Sequence, residues 1–296
     1  MSLHSMTRRR PLTALAAAAA LALTLSACSP GSTTASQDAD NVPSAAATGL
    51  PSSHIHGLSV NGETDQVLLA THEGLFDVTK SPATQIGDTN DLMGFTAAGD
   101  NGVFYASGHP GPGSDLPNPM GLIKSVDGGK TWEQLSRQGE SDFHALAATK
   151  SGIVAYDGTL QTSPDGKTWS AASTEFVPAV LAGTPETDTV LATTREGLQR
   201  STDGGKTWEL NTTAPIIQFA TFAGGTEVVG IEPDGSVHYS ADAGSTWSRT
   251  GQIEGKVQAV TAVKQTEGKP WIWAATTEGL VLSSDAGATF RPADTN

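Results

Sequence analysis

The sequence predicts an all-β fold, and more closely a six-bladed β-propeller of four-stranded antiparallel blades. Glycine is abundant, with 33 of 296 residues, and only 16% of the residues are charged. This composition suits many short strands joined by tight turns. A short motif also recurs at a spacing of about 40 residues. Self-similarity at that period, with several short strands in each unit, is typical of propeller blades.

The recurring motif has five copies, each beginning with serine and ending with an aromatic residue. Their aromatic residues lie 37, 39, 39 and 43 residues apart. The copies occupy residues 125–132, 163–169, 201–208, 240–247 and 283–290. They resemble the Asp-box (bacterial neuraminidase) repeat, S-x-D-x-G-x-T-W, and the resemblance covers nearly all of residues 54–296. The fold class is therefore a propeller with Asp-box turns.

The side chains of the motif explain its recurrence. Serine and aspartate can bond the turn amides, glycine permits a positive φ, and the aromatic ring can pack between blades. The resemblance implies that such boxes are structural and lie away from active sites. We therefore expect an architectural role for five aspartates, namely Asp127, Asp165, Asp203, Asp242 and Asp285.

Residues 1–27 have the pattern of a lipoprotein signal peptide. Three arginines precede an apolar stretch rich in alanine and leucine that is too short for a comfortable membrane span. Leu25-Ser26-Ala27-Cys28 then resembles a lipobox, and Cys28 is the only cysteine. We predict lipidation of Cys28 and export to the outer face of the cell membrane. Residues 28–50 form a flexible Ser/Ala/Pro-rich tether, and residues 51–296 form the propeller.

The charge of the chain limits its partners. The formal net charge is −14, and removal of the signal peptide makes it more negative. Such a surface repels nucleic acid, so we expect none as a partner. A cation or a basic protein suits it better, and the lipid on Cys28 supplies the contact with the membrane.

Each repeat begins with a strand that we expect to line the axis, and this allows the blades to be compared position by position. Residues i and i+2 of a strand share one side, so the first and third positions of this strand face the axis together. Blades 1–3 carry histidine, methionine and aspartate there, whereas blades 4–6 are predicted to carry apolar residues. The first positions are His54, Asp91, Asp142, Val177, Ile217 and Val257, and the third are His56, Met93, His144, Ala179, Phe219 and Ala259.

The ends of the second strands add to this face. His72 and His109 follow the second strands of blades 1 and 2, and antiparallel pairing returns these ends to the same face. Asp157 occupies the corresponding region of blade 3. Blade 2 also carries an irregular insertion, residues 108–120, whose last residue, Met120, either reaches the site or anchors the loop. His238 lies on a third strand and is interpreted as an ordinary structural residue.

These side chains predict a metal site. Imidazole is the commonest metal ligand, and a thioether beside imidazoles favours copper, while zinc remains open. Asp91 and Asp142 either orient the rings or ligate the ion. No organic cofactor is expected. The predicted ligands are His54, His56, His72, His109, His144 and Met93, with Met120 and Asp157 as weaker candidates.

Two other functions remain open. One is a non-catalytic scaffold that binds a protein or a glycan, and the other is a glycosidase that uses Asp91 and Asp142 as a carboxylate pair. The chain resembles propellers that assist photosystem II assembly, which bind proteins. It also resembles lipid-anchored actinobacterial Asp-box proteins labelled glycosyl hydrolase-like, which share segments 54–58 and 71–75. The latter resemblance implies that the histidines belong to the family plan, but it brings no established activity.

Sialidase activity does not fit the residues. Sialidases hold the carboxylate of their substrate with three arginines, and only five arginines follow Cys28. Two of these, Arg200 and Arg291, lie beside the box or the third strand, outside the predicted axial face. The sequence leaves open whether the chain is an enzyme, and a glycosidase is the activity that the resemblance suggests.

Overall fold

The computed structural model describes residues 49–99, 102–172, 174–265 and 268–293, which lie within one compact unit, Val42–Asn296. The predicted signal peptide, Cys28 and the predicted tether up to residue 48 lie outside the described residues. They therefore stay predictions. Within the described ranges, no helix has the length and apolar character needed to cross a membrane.

The described residues form six sheets, each made of four consecutive antiparallel strands. The strands of blades 1–3 are β1 (Ile55–Val60), β2 (Val67–Thr71), β3 (Gly74–Asp77), β4 (Thr84–Ile86), β5 (Asp91–Ala97), β6 (Phe104–His109), β7 (Leu122–Ser125), β8 (Glu133–Ser136), β9 (Ala145–Thr149), β10 (Gly152–Tyr156), β11 (Leu160–Ser163) and β12 (Ser170–Ala171). The strands of blades 4–6 are β13 (Val180–Ala182), β14 (Val190–Thr194), β15 (Gly197–Ser201), β16 (Glu209–Leu210), β17 (Phe219–Phe222), β18 (Val228–Ile231), β19 (Ser236–Ser240), β20 (Ser248–Gln252), β21 (Val257–Val263), β22 (Trp271–Thr276), β23 (Gly279–Ser283) and β24 (Arg291–Pro292). The predicted six-bladed propeller is confirmed.

The hydrophobic core lies between neighbouring blades. The second strand of a blade is covered on both faces, so β2 is buried along its whole length and β14 along nearly all of it. The outermost strands are short and exposed, as in β12 and β16. Continuous apolar runs therefore form the second strands, and polar segments form the rim.

The ring closes through side-chain packing between blades 1 and 6. Among the described residues, blade 6 is built from its own four strands, with β24 as the outer strand. Ile55 and Leu58 of blade 1 share one buried cluster with Ala259, Trp273 and Leu280 of blade 6. Blades 1 and 6 thus meet through the same kind of core as the other neighbours.

The Asp boxes are closed hydrogen-bonded turns. In the first box, Ser125 donates to Asp127 Oδ1 at 2.9 Å, and Thr131 donates its hydroxyl to Asp127 Oδ2 at 2.7 Å. The buried Ser125 oxygen also accepts from the amide of Gly129 at 2.8 Å. Hydrogen bonds from the side chain and the backbone of Thr131 lower the pKa of Asp127 to about 2. These contacts match the architectural role predicted for the box aspartates.

The register of blades 5 and 6 corrects one expectation. Ala259 pairs with Ala275 as Gly57 pairs with Ala70, so Gln258, not Ala259, is the counterpart of His56. The same count in blade 5 places Gln218 at the third position. The first positions of blades 5 and 6 are then Ile216 and Lys256, respectively. A slip of one residue moves every side chain to the other face, and strands that are apolar on both faces hide such a slip in the sequence.

Blade 5 illustrates the consequence. Ile217 is buried, whereas Ile216 is 69% exposed. In blade 6, Gln258 lines a cavity that lies on the axis of the ring. The prediction that blades 4–6 all carry apolar groups at the axial positions was therefore wrong at Gln218 of blade 5 and at Lys256 and Gln258 of blade 6.

Candidate metal centre at the axial mouth

Two elements of blade 1 present the first group of histidines. His54 and His56 lie at the start of β1, where the pairing jumps from Ile55–Thr71 to Gly57–Ala70. His56 is therefore the extra residue of a β-bulge, a distortion that re-aims a side chain. His72 lies in the turn after β2, which is held by the Thr71 hydroxyl donating to the carbonyl of Gly74.

The three imidazoles of blade 1 converge. One ligand nitrogen from each of His54, His56 and His72 lies within 4.8 Å of the others. His56 Nε2 is 3.3 Å from His72 Nδ1. The ring centroids of these two side chains are 4.4 Å apart and nearly perpendicular, at 85°. Blade 1 alone thus brings together the number of imidazoles that a transition-metal ion needs.

Asp91, from the first strand of blade 2, completes the group. Its Oδ2 accepts a hydrogen bond from His72 Nδ1 at 2.9 Å, and its Oδ1 lies 3.7 Å from His56 Nε2. Donors that lie about 2.0–2.1 Å from a tetrahedral ion are roughly 3.3 Å apart. The separations of 2.9, 3.3 and 3.7 Å bracket that value. His56 Nε2 and His72 Nδ1 therefore have the spacing of neighbouring metal ligands, while the contact of His72 with Asp91 has the length of a hydrogen bond.

The side chains of the site become more exposed from the interior of the ring towards its mouth. The side chain of His56 is 9% exposed and that of His72 is 45% exposed. Burial, followed by the neighbouring His72 and His54, lowers the pKa of His56 to about 4. At neutral pH the ring of His56 is therefore uncharged and offers a lone pair to a cation.

One oxygen of Asp91 has an unusual environment. Asp91 Oδ1 is buried, and it forms no hydrogen bond within the described part of the chain. A buried polar atom without a partner costs about 1–3 kcal/mol, and more when it is charged. A cation beside Asp91 Oδ1 and His56 Nε2 would offset that cost.

Glycines allow the strands that carry the aspartates to come close. A Cβ at Gly108, which has a φ of +143°, would collide with the backbone oxygen of Asp91. A Cβ at Gly94 would collide with the backbone oxygen of Phe143. Because glycine occupies both positions, β5 packs tightly against β6 and against the segment that leads into β9. Asp91 and Asp142 are thus set at one level of the ring.

The remaining two histidines form a second group. His144 Nε2 lies 2.7 Å from Asp142 Oδ2, and His109 Nε2 lies 3.2 Å from the same oxygen. His109 Nδ1 is 2.7 Å from Asn118 Oδ1, in the insertion of blade 2. The sequence predicted one set of five histidines, but the structure divides them into three in blade 1, of which His56 and His72 contact Asp91, and two around Asp142. Asn118 was missed, and its only sequence signal is its place in residues 108–120.

The methionines and Asp157 differ in their relation to these groups. Met93 is half-buried at the third position of blade 2, between the strands that carry His56 and His144. Met120 has no exposed surface and packs in the hydrophobic core, so the prediction that it reaches the site is wrong. It anchors the end of the insertion. Asp157 accepts hydrogen bonds from Ser141 and Gln161, which accounts for its carboxylate without an ion.

His238 has the structural role predicted for it. It lies on β19, its side chain is nearly buried, and its Nε2 is 2.6 Å from Glu232 Oε1. It belongs to neither group of axial histidines.

An axial cavity lies beneath the first group. Its volume is about 760 Å³, and His56 is part of its wall. Apolar side chains from the innermost strands line it further along, among them Leu58, Phe95, Leu181 and Phe219. His56 thus faces both the mouth of the ring and its interior.

The comparisons with known proteins agree with this architecture. Residues 199–210 match the BNR/Asp-box repeat family. No curated protein sequence matches the chain significantly. Similar solved structures include the GH74 xyloglucanase from Xanthomonas campestris, with 16% identity over 81% of this chain and 38% of that chain and a TM-score of 0.55. The Niastella koreensis GH74 enzyme shares 18% identity over 81% of this chain and 37% of that chain, also with a TM-score of 0.55.

A third similar structure is YCF48 from Cyanidioschyzon merolae, with 13% identity over 69% of each chain and a TM-score of 0.44. The chain spans less than two fifths of the length of either GH74 enzyme. The likeness to the two GH74 enzymes, at 16% and 18% identity, establishes the fold and transfers no activity. The chain is a six-bladed β-propeller that carries BNR/Asp-box repeats.

Proposed function

We propose that this protein binds a transition-metal ion at the axial mouth, while lipid on Cys28 anchors it at the outer face of the cell membrane. The ligands are His54, His56 and His72, and Asp91 either orients His72 or ligates the ion. The observation that carries the proposal is the convergence of three imidazole nitrogens within 4.8 Å of one another. The buried, unpartnered oxygen of Asp91 supports it.

The proton balance at the site is compatible with an ion. The hydrogen bond between His72 Nδ1 and Asp91 Oδ2 holds one proton. An ion among His72, His56 and Asp91 takes the place of that proton at Nδ1, and the proton moves to Nε2 of the same ring. Imidazole binds an ion only in its neutral form, so binding is favoured as pH rises. His56 has already lost its proton well below neutral pH.

Copper and zinc share the required ligand chemistry. Imidazole nitrogen suits both ions, and affinity for such sites is higher for copper than for zinc. The thioether of Met93, on the neighbouring strand, favours copper, whereas the carboxylate of Asp91 favours zinc. We favour copper, and a direct titration separates the two ions.

The test uses the full chain, purified in detergent without a histidine tag and stripped of metal with a chelator. Titration calorimetry with Cu²⁺ and with Zn²⁺ is expected to show tight binding of at least one of them. His56→Asn should remove one ion per chain. His238→Asn is the matched control, because His238 lies outside both axial groups, and it should leave the number of ions unchanged. Absence of binding by the parent chain, or equal binding by both variants, would overturn the proposal.

The lipid anchor has a separate test. Cells that express the chain are grown with radioactive palmitate, and label is expected on the parent chain but not on Cys28→Ala. The parent chain should also be found in the membrane fraction and the variant in the soluble exported fraction. An unlabelled parent chain would contradict the anchor while leaving the metal site untouched.

A further inference from the structure

We propose that a second metal ion binds at His109, His144 and Asp142, beside the first site. The inference rests on the proposed function for the kind of ion, a divalent transition metal. Its ligands are different residues, so the two sites can be tested independently.

The second group repeats one contact of the first. In both cases an aspartate at the first position of a blade contacts the histidine at the end of the second strand of the preceding blade. The pair is His72–Asp91 between blades 1 and 2, at 2.9 Å, and His109–Asp142 between blades 2 and 3, at 3.2 Å. A third-position histidine approaches each aspartate, but from different blades. His56 comes from the blade of His72, whereas His144 comes from the blade of Asp142 itself and lies 2.7 Å from that carboxylate.

The tautomer of His109 leaves one ring nitrogen free to bind a cation. Asn118 Oδ1 is an acceptor, so the nitrogen that faces it at 2.7 Å, His109 Nδ1, carries the hydrogen. In the neutral ring, His109 Nε2 is then a lone pair, and it faces Asp142 Oδ2 at 3.2 Å. Two lone pairs at that distance repel each other. An ion held between them turns the repulsion into coordination.

Asp142 has the same unsatisfied atom as Asp91. Asp142 Oδ1 is buried and has no hydrogen-bond partner among the described residues. Within that part of the chain, only four side-chain atoms are buried and unpartnered, and two of them are the Oδ1 atoms of these two aspartates. Each of the two carboxylates thus has one oxygen whose hydrogen bonding the described residues leave unsatisfied.

The second group is open to solvent. The side chains of His109 and His144 are 43% and 59% exposed, so a hydrated ion can reach them. Two imidazoles and one carboxylate leave coordination positions free, which water fills. Asn118 acts as a positioning residue, because it fixes the ring of His109 through the nitrogen that does not bind the ion.

The two sites influence each other electrostatically. Asp91 of the first site pairs with His109 of the second across strands β5 and β6, so the two sites are adjacent. Two cations at these places repel each other, and the coupling is reciprocal. We therefore expect the second ion to bind more weakly when the first site is filled.

The number of metal ions bound per chain tests the proposal. The full chain in detergent is dialysed against Zn²⁺, and in parallel against Cu²⁺, and bound metal is measured by mass spectrometry. The parent chain should hold two ions. His109→Asn/His144→Asn should hold one, His56→Asn/His72→Asn should hold one, and the four substitutions together should hold none. Asn118→Ala should weaken the second ion about ten- to a hundredfold, as expected for loss of a residue that orients a ligand.

Each outcome decides between the proposals. One ion in the parent chain that is lost in His56→Asn/His72→Asn alone overturns the second site and leaves the first. One ion that is lost in His109→Asn/His144→Asn alone supports the second site and overturns the first. If His109→Asn/His144→Asn unfolds, as judged by circular dichroism, Asp142→Asn replaces it and must also remove one ion. For Cu²⁺, dipolar coupling between two ions in the electron paramagnetic spectrum should vanish in either double variant.

Discussion

The aspartates at the rim and the aspartates at the axial mouth show how one residue type serves two purposes. Asp127 receives hydrogen bonds on both oxygens, from Ser125 and Thr131, all within four residues along the chain. Asp91 instead contacts His72 and His56 from another blade, and its Oδ1 accepts no hydrogen bond from the described residues. A carboxylate that is satisfied within its own turn stabilises the fold. A carboxylate left with an open, buried oxygen beside imidazoles is suited to a cation.

The sharpest way to test this comparison is to make the same substitution in both regions. Asp91→Asn should weaken metal binding about ten- to a hundredfold, because Asp91 orients or ligates at the site. Asp127→Asn should leave metal affinity within twofold and lower the melting temperature, because the turn loses a hydrogen-bond acceptor. Calorimetry and thermal unfolding measure the two effects. Equal effects of the two substitutions on affinity would contradict the distinction.

The next prediction concerns Gly108, which lets the backbone of Asp91 pack closely against it. Gly108→Ala should destabilise the fold by more than about 2 kcal/mol and weaken metal binding, because the new Cβ displaces the backbone of Asp91. Gly113→Ala is the matched control. Gly113 also has a positive φ, of +84°, but has no neighbour within 4 Å, so only backbone strain of about 1–2 kcal/mol is expected. Urea unfolding gives both values, and retention of full affinity in Gly108→Ala would refute the explanation.

Acid should affect the two regions in separate pH windows in the metal-free protein. The pKa of His56 falls from 6.5 to about 4 on folding, so the unfolded chain binds the additional proton and stability declines as pH drops from 6.5 towards 4. The slope from this group is at most about 1.4 kcal/mol per pH unit. The box aspartates have pKa values lowered from 3.8 to about 2, so their contribution is complete above pH 3.8 and is lost towards pH 2.

The check is the stability of the metal-free chain by urea unfolding at a series of pH values. In His56→Asn, the decline between pH 6.5 and 4 should shrink while the decline below pH 3.8 persists. If the loss of stability between pH 6.5 and 4 is unchanged in His56→Asn, another group causes it.

The smallest expected effect lies within the boxes. Ala243 has a φ of +55° at the place where the first box has Gly128, with a φ of +80°. Alanine is strained in this region, whereas glycine is not, although glycine costs more entropy on folding. Ala243→Gly should therefore stabilise the protein by up to about 1 kcal/mol and leave metal binding unchanged. A lower melting temperature in the variant would show that the strain is relieved in another way.

The blade count and the Asp boxes followed from the sequence because their interactions are local. Ser125, Asp127 and Thr131 lie within seven residues, so each motif carries its own structure. The period of the motif then determined the repeat. The placement of His54, His56 and His72 near one another also followed, because antiparallel pairing brings the end of β2 beside the start of β1.

Contacts between blades were decided only by the tertiary structure. The pairing of Asp91 with His72, and of Asp142 with His109, depends on how neighbouring sheets pack and on the β-bulge at His56. The division of the histidines into two groups and the burial of Met120 depend on the same packing. So does the register of blades 5 and 6, because a strand that is apolar on both faces fits the sequence pattern in either register.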